Sequence, residues 1–291
     1  MSPAATSPNE SRVTANVPWV GIVWFVALLA LCYAPVLARL IHQWNNDEDM
    51  GHGFFVPVLA GYIAWLKRDE IFARKAEPNW WGLLLVVYAG LQLCVATLGA
   101  ELFLARTAIV LSVIGLTLFL GGTRCVRILA FPLFLLFFMV PIPGILYNQL
   151  TFPLQLLASR AAEWALMMIG IPVLREGNIL ELAGQRLSVV EACSGIRSLL
   201  SLSFLALVYG YFFEKSTGMR IILFLATVPI AMVANASRVT LTGILSEINP
   251  ALAHGLMHSA SGWVIFMVAL FILVAFHQIL IRLRTLTHGK H

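Results

Sequence analysis

The chain has 291 residues, of which 60% are hydrophobic and 11% are charged, and its formal net charge is +5. Soluble domains are about half apolar and about a quarter charged, so a water-soluble fold could not cover this much apolar surface. The basic residues form short clusters between apolar runs, which favours membrane orientation over nucleic-acid binding as the reason for the positive charge. The sequence therefore predicts an all-α polytopic membrane protein in contact with the lipid bilayer, with no nucleic-acid partner.

Three parts of the chain differ in composition. Residues 1–17 are polar and rich in Ser, Pro and Asn, which predicts a disordered cytoplasmic tail. The apolar segment that follows is too long for a signal-peptide core and has no clear cleavage site, so we interpret it as a first span. Residues 18–281 are predicted to form a single transmembrane domain, and residues 282–291 a basic cytoplasmic tail.

Hydropathy predicts about eight transmembrane helices, since apolar runs near the roughly 20 residues needed to cross a bilayer recur along the chain. They lie at residues 18–41, 53–66, 80–99, 102–120, 126–146, 195–213, 220–245 and 259–281. Clusters of Lys and Arg follow the second, fourth, sixth and eighth runs, and such clusters tend to stay in the cytoplasm. A cytoplasmic N-terminus then leaves the acidic loop 45–49, the connection 141–192 and the loop 246–257 on the opposite side.

The long connection before the sixth span has two parts. Residues 151–170 are predicted to form a helix that lies in the interface or re-enters the membrane. Three of its polar residues are four positions apart and share one face: Gln155, Ser159 and Glu163. Residues 178–191 alternate around an Ala-Gly pair, which predicts a short β-hairpin leading to the sixth span.

The four cysteines show neither a CxxC pair nor metal-ligand spacing with histidine, so no disulfide frame and no metal site is predicted. They are Cys32, Cys94, Cys125 and Cys193. Cys32 and Cys94 are interpreted as small packing residues. Cys193 differs, because it stands where an extended segment ends and a span begins, in the run Glu191-Ala192-Cys193-Ser194-Gly195-Ile196-Arg197. The positive end of a helix and a nearby arginine favour the thiolate, so Cys193 is a candidate nucleophile and Arg197 a candidate support.

Arg238 falls inside the seventh span, toward its outer end. Arginine at the bilayer centre costs about 2.5–3.5 kcal/mol on insertion scales, so Arg238 must face a polar interior and have a partner. It is either a positive charge that stabilises an oxyanion or a structural arginine that pairs with Glu247 or Glu191. Asn235, three residues earlier on the same helix, is a candidate support.

His258 stands at the outer start of the eighth span. Its unperturbed pKa of about 6.5 suits proton transfer, and His254, one helical turn earlier, is a competing candidate. Cys193, Arg238 and His258 come from three different spans but are predicted at the same depth on the same side. Cysteine and histidine form a nucleophile and base pair, to which an arginine adds electrostatic stabilisation.

At these places the sequence resembles the exosortase and archaeosortase family of membrane enzymes. The family signature is a cysteine in an A-C-S/N-G block, an arginine in an N-x-x-R block, and a histidine before S-G-W. The matching blocks here are Ala192-Cys193-Ser194-Gly195, Asn235-Ala236-Ser237-Arg238 and His258-Ser259-Ala260-Ser261-Gly262-Trp263, with Gly51-His52-Gly53-Phe54-Phe55-Val56-Pro57 after the first span.

The resemblance implies a cysteine-dependent peptidase or transpeptidase of a Gram-negative inner membrane, with its active site facing the periplasm and no cofactor. Its partners would be exported proteins with a C-terminal sorting tail, made of a Pro-Glu-Pro-type motif, a transmembrane helix and a basic cluster. Cys193 would be the nucleophile, Arg238 the electrostatic stabiliser and His258 the general acid and base. His52 and Glu191 would serve tail recognition or structure. The extra C-terminal domain of some members is not expected here, which leaves the subtype open.

Two other functions agree less well with the sequence. A non-enzymatic transporter or a scaffold of an exopolysaccharide export complex would use Arg238 and Arg197 to bind an anionic substrate. Transport predicts charged residues through the bilayer midplane and an internal repeat, whereas the candidate residues here lie toward one face and no repeat is evident. An intramembrane aspartyl or metallo-enzyme is excluded, because the sequence has no pair of aspartates in its spans and no HExxH motif.

Overall fold

The computed structural model describes residues 19–73, 77–189, 196–249 and 256–288. The chain divides into two compact units, Met1–Pro141 and Ile142–His291. The described part of the first unit contains helices and no strand. Its helices are α1 (Trp19–Cys32), α2 (Ala34–Asn46), a 3-10 helix (Glu48–Phe54), α3 (Phe55–Leu66), α4 (Arg68–Phe72), α5 (Trp80–Leu98), α6 (Leu102–Ile128), α7 (Ala130–Leu135) and a second 3-10 helix (Leu136–Met139).

Helices α5 and α6 are joined by a three-residue turn and pack along each other. Gly82 permits this approach, since a Cβ atom there would collide with the backbone of Phe119, and Gly115 faces α5 in the same way. Small residues at helix contacts let backbones come close in membrane proteins. The side-chain amide of Gln92 adds a hydrogen bond of 2.8 Å to the hydroxyl of Thr107.

One predicted span in the first unit is interrupted, and one helix is kinked beyond the end of its predicted span. The first breaks at Tyr33, where α1 and α2 meet at an angle of 75°. A proline stands in the first turn of α2, and proline cannot continue the hydrogen bonding of a preceding helix. The hydroxyl of Tyr33 lies 2.7 Å from that of Ser112 on α6, which ties the break to a neighbouring helix. The second change is at Gly122, whose φ of +74° kinks α6. The helix then runs on through Arg124 and Arg127, which the sequence placed in a loop.

The described chain carries five helices that are long and apolar enough to cross a bilayer: α5, α6 and three in the second unit. The number rises to seven if two interrupted helix pairs each count as one span. α3, part of the predicted span 53–66, has only 12 residues, against the roughly 20 that a crossing needs. Large apolar side chains cover the outside of the helices, as at Leu98, which is 89% exposed. The chain is therefore an all-α polytopic membrane protein, and the count of eight spans stays a prediction.

His52 lies in the first 3-10 helix and is 8% exposed. Burial disfavours the charged imidazolium and lowers the pKa of His52 below its usual value of 6.5, although hydrogen bonds with the backbone of Phe138 and Asp49 and the charge of Asp49 act in the opposite direction. His52 therefore belongs to the interior of the first unit in its neutral form.

The second unit combines helices with a small sheet. Its elements are α8 (Gly144–Met168), β1 (Val173–Glu176), β2 (Ile179–Leu182), β3 (Arg186–Ser188), α9 (Ile196–Phe213), α10 (Thr217–Ile248) and α11 (Leu256–His288). The strands pair antiparallel in the order β1-β2-β3. In the register, Val173 stands opposite Leu182 and Ile179 opposite Ser188. Strands β2 and β3 flank the Ala-Gly turn of the predicted hairpin, whereas β1 was not predicted and the helix before it begins at residue 144 rather than 151.

Two apolar clusters form the interior of the second unit. In the first, Leu180 and Leu187 of the sheet pack with Leu166 of α8 and Val239 of α10. The second joins α9, α10 and α11. Buried apolar side chains on all three strands thus fix the sheet between α8 and α10.

Gln155, Ser159 and Glu163 share one face of α8, as the four-residue spacing predicts, and this face binds the sheet. The amide of Asn178 donates to the side-chain oxygen of Gln155 (3.0 Å), and the hydroxyl of Ser159 donates to a backbone carbonyl of the β1–β2 turn (2.9 Å). The guanidinium of Arg175 donates from Nε to the carboxylate of Glu163 (2.7 Å). These side chains hold the sheet in one register against the helix.

At the other end of the second unit, a buried polar cluster joins α9 to α11. His277 is 1% exposed; its Nδ1 lies 2.9 Å from the hydroxyl of Tyr209, and its Nε2 lies 3.3 Å from the carboxylate of Glu214. Glu214 follows α9, outside the spans, and the backbone N–H of Ser216 that it accepts lowers the pKa of its carboxyl. The cluster satisfies a histidine that would otherwise be buried without partners.

Two ion pairs of the sheet allow a matched stability test. Glu163→Gln keeps the shape but removes the charge from a pair whose side chains are only 23–24% exposed. We expect it to lower the free energy of unfolding by roughly 1.5–3 kcal/mol, the range for hydrogen bonds to charged groups. Glu176→Gln, in a pair 59–62% exposed with Arg186, should change it by less than about 1 kcal/mol. Thermal unfolding in detergent checks this, and equal losses in both variants would contradict it.

Acid should destabilise the first unit through His52. The unfolded chain protonates this histidine near pH 6.5 and the folded chain only at lower pH, so the unfolded state binds more protons between these values. The contribution of neutral His52 to the free energy of unfolding should therefore be fully present above pH 6.5. It should decrease as the pH drops toward the pKa of His52 in the folded chain. His52→Gln should lessen the fall of the unfolding temperature between pH 7.5 and 5.5, whereas His42→Gln, exposed on α2, should not. An unchanged fall in His52→Gln would contradict the assignment.

Candidate active site

Arg238 and Asn235 lie on the inward face of α10. Arg238 is 8% exposed and Asn235 is 4% exposed, and both share this face with Val239 and Thr242. The hydroxyl of Thr242 donates to the backbone carbonyl of Arg238 (2.9 Å), which leaves no polar group of that threonine to disturb the apolar packing. The apolar residues around Arg238 and Asn235 favour a membrane-spanning helix. The buried face of that helix directs the arginine toward the interior of the second unit and away from lipid.

The guanidinium of Arg238 lies against the backbone of α11 at Gly262. A Cβ atom at Gly262 would be 2.9 Å from Cζ and from Nη2 of Arg238, closer than side-chain carbons normally come. Only glycine leaves room for the guanidinium here without a shift. The glycine of the S-G-W block thus leaves space for the guanidinium of Arg238. Its sequence gives no sign of this role, because glycine has no charged or nucleophilic group.

The backbone of His258 lies in the first turns of α11, four residues before Gly262. Residues four apart in an α-helix share a face and follow each other by one turn. The position of His258 is therefore one turn from the glycine that Arg238 contacts. His254 lies outside the described residues, so both histidines remain candidates for the acid and base.

Cys193 and Glu191 fall in the segment 190–195, outside the described residues. Both flanks of this segment belong to the interior of the second unit. Val189 is fully buried and its N–H donates to the carbonyl of Asn178 (3.0 Å), while Ile196, the first residue of α9, is 2% exposed. Arg197 follows on α9 and is half-buried.

The sheet that precedes residue 190 is joined to the helix that carries Arg238. Val239, next to Arg238, belongs to the apolar cluster of the sheet. The side-chain amide of Gln185, between β2 and β3, hydrogen bonds to the hydroxyl of Ser246 on α10. Neither contact follows from a sequence motif, because each pairs residues far apart in the chain.

Asn235 carries an unused acceptor. Its Oδ1 atom is buried and accepts no hydrogen bond from the residues that the structure describes. The residue lines a cavity of about 10 Å³, next to Leu154 and Leu199. This is about the space of one water molecule. A buried acceptor without a partner costs about 1–3 kcal/mol, so a group that donates to it would be bound favourably.

The sequence-predicted residues thus divide among three places. Arg238 and Asn235 lie on the buried face of α10, Arg238 contacts α11 one turn from the position of His258, and Arg197 is the second residue of α9. His52 belongs to the first unit. Cys193 and Glu191 lie in the segment that links the sheet to α9.

Comparison with protein families gives a match over most of the chain. Residues 44–275 match the sequence model of the transmembrane exosortase family. No curated protein and no solved structure shows significant similarity to the chain. The matched range covers well over half of the chain and contains the cysteine block, the N-x-x-R block and the histidine block with its S-G-W. The chain therefore belongs to the transmembrane exosortase family.

Proposed function

We propose that this protein is a cysteine-dependent peptidase or transpeptidase that removes the C-terminal sorting tail of exported proteins. The tail has a Pro-Glu-Pro-type motif, a transmembrane helix and a basic cluster, and it is cut at the periplasmic face of the inner membrane. The observation that supports this proposal is the contact between the guanidinium of Arg238 and Gly262, one helical turn from His258. It joins two of the three family blocks.

The reaction begins with the thiolate of Cys193, which attacks the scissile carbonyl carbon. A C–S bond forms, and the carbonyl oxygen becomes an oxyanion that the guanidinium of Arg238 stabilises. His258 then gives a proton to the leaving amine as the C–N bond breaks, and a thioester remains on Cys193. Water releases a free carboxylate, whereas an amine forms a new peptide bond, so the acceptor decides between peptidase and transpeptidase.

The supporting residues act on this machinery. The unused Oδ1 of Asn235 is suited to accept an N–H of the substrate backbone or of the Arg238 side chain, either of which would orient the reacting groups. Arg197, four residues after Cys193, favours the thiolate through its charge. Glu191 and His52 are assigned to tail recognition or to structure.

Cys193→Ala should abolish tail removal while leaving the protein in the membrane. A reporter with a Pro-Glu-Pro-type tail is co-expressed with the wild type, with Cys193→Ala or with Cys94→Ala, and its mass is followed on a gel. Cys94 is exposed on α5, so its loss should have no effect. Processing by the wild type and Cys94→Ala alone would support the nucleophile, whereas processing by Cys193→Ala would refute it.

Gly262→Ala should impair processing without a large loss of stability. The added methyl group would displace the guanidinium of Arg238, and a displacement of about 1 Å at a reacting centre can reduce the rate on the order of 100-fold. Gly90→Ala on α5 is the matched control, because nothing lies within 4 Å of its Cβ position. Rates of reporter processing at equal protein levels test this. Equal rates in the two variants would show that the contact is irrelevant to the reaction.

A further inference from the structure

The first unit contains a cavity of about 190 Å³ that opens beside the start of α6. It is lined by residues of α2, of the end of α5, and of the turn and first helical positions that follow. Three of these residues are charged: Arg39, Glu101 and Arg106. None of them belongs to the family blocks or to the proposed reaction.

Arg106 is the unusual residue of this cavity. It is 6% exposed, and its Nε atom donates no hydrogen bond to any part of the chain that the structure describes. A charged side chain that is buried without compensation costs several kcal/mol. Ionisable residues inside transmembrane helices mark binding or transport sites by default. An anionic group in the cavity would satisfy this guanidinium.

Glu101 attracts Arg106 through its charge but offsets only part of the positive charge of the lining. Its carboxylate accepts a hydrogen bond of 2.6 Å from the backbone N–H of Leu104 and thereby caps the first turn of α6. With two arginines and one glutamate, the charged lining carries a formal charge of +1. The cavity therefore suits a ligand with a single negative charge.

The position of Arg106 and the apolar lining of the cavity favour a phospholipid as the source of the anionic group. Arg106 is the fifth residue of a helix that is long and apolar enough to cross a bilayer, so it lies about 6 Å along the axis from the start of that helix. Lipid headgroups lie at the ends of such helices. Val36 and Leu102 also line the cavity, and Leu102 is 42% exposed, so the cavity is continuous with the apolar outer surface. Acyl chains can follow that surface while the phosphate enters between the arginines. Guanidinium groups bind phosphate oxygens through paired hydrogen bonds.

We infer that this cavity binds the phosphate of a singly charged anionic phospholipid. Arg106 is the buried anchor, and Arg39 is the exposed second contact. The lipid stabilises the first unit by neutralising a guanidinium that otherwise has no partner for its Nε atom. The binding site is independent of the cysteine reaction proposed above.

The test measures lipid binding to the full chain in a neutral detergent. Phosphatidylglycerol is added to the wild type, Arg106→Gln, Arg39→Gln and Arg127→Gln, and retained lipid is counted by native mass spectrometry. Arg127 lies at the opposite end of α6 and controls for the loss of one positive charge. We expect the wild type and Arg127→Gln to retain one lipid more than the other two, and phosphatidylglycerol to raise the unfolding temperature of the first pair only.

Two further probes identify the source of the anion. Inorganic phosphate and acetate are added at equal ionic strength in place of the lipid. Either salt raising the unfolding temperature as much as phosphatidylglycerol does would overturn the lipid assignment in favour of a soluble phosphate or a carboxylate. Equal lipid retention in all four proteins would overturn the site itself. If Arg106→Gln does not fold, Arg39→Gln decides the question, since Arg39 is exposed and its loss leaves the interior intact.

Discussion

The buried guanidinium of Arg238 is the constraint on which the second unit depends. A charge at this depth is tolerated only where protein surrounds it, so the helix that carries it must turn this face away from lipid. The neighbouring helix must then present backbone rather than a side chain, and Gly262 does so. Asn235 and Thr242 add polar groups on the same buried face, with Val239 beside them in the apolar cluster.

The small sheet extends this constraint toward the segment that contains Cys193. Polar pairs hold the sheet to α8, and the contacts of Val239 and Gln185 hold it to α10. The chain therefore leaves the sheet from a fixed place, and α9 begins from buried Ile196. Both described flanks of segment 190–195 are therefore held in the interior of the second unit.

The sequence was sufficient for features that depend on local pattern or composition. The membrane class follows from hydropathy, and the family follows from ordered blocks, as the match over residues 44–275 confirms. The shared face of Gln155, Ser159 and Glu163 follows from helical periodicity, although the sheet that it binds does not. Features set by distant contacts were missed. The hydroxyl of Tyr33, at the break between α1 and α2, contacts that of Ser112, which is 79 positions away, and α6 continues past Gly122 through a positive φ that hydropathy cannot register.

Gly262 and Arg106 show why a charge-based search of a membrane sequence finds only part of a site. The importance of Gly262 comes from the space it leaves for another residue, so it carries no chemical signal of its own. Arg106 carries a charge that the sequence shows, but the sequence does not show that the carboxylate of Glu101 caps α6 through the N–H of Leu104. Whether a buried charge is satisfied is a question of which atoms already have partners. The two arginines therefore differ in what surrounds them. Arg238 lies against the backbone of α11 at Gly262, whereas Arg106 borders an open cavity whose charged lining suits an anion.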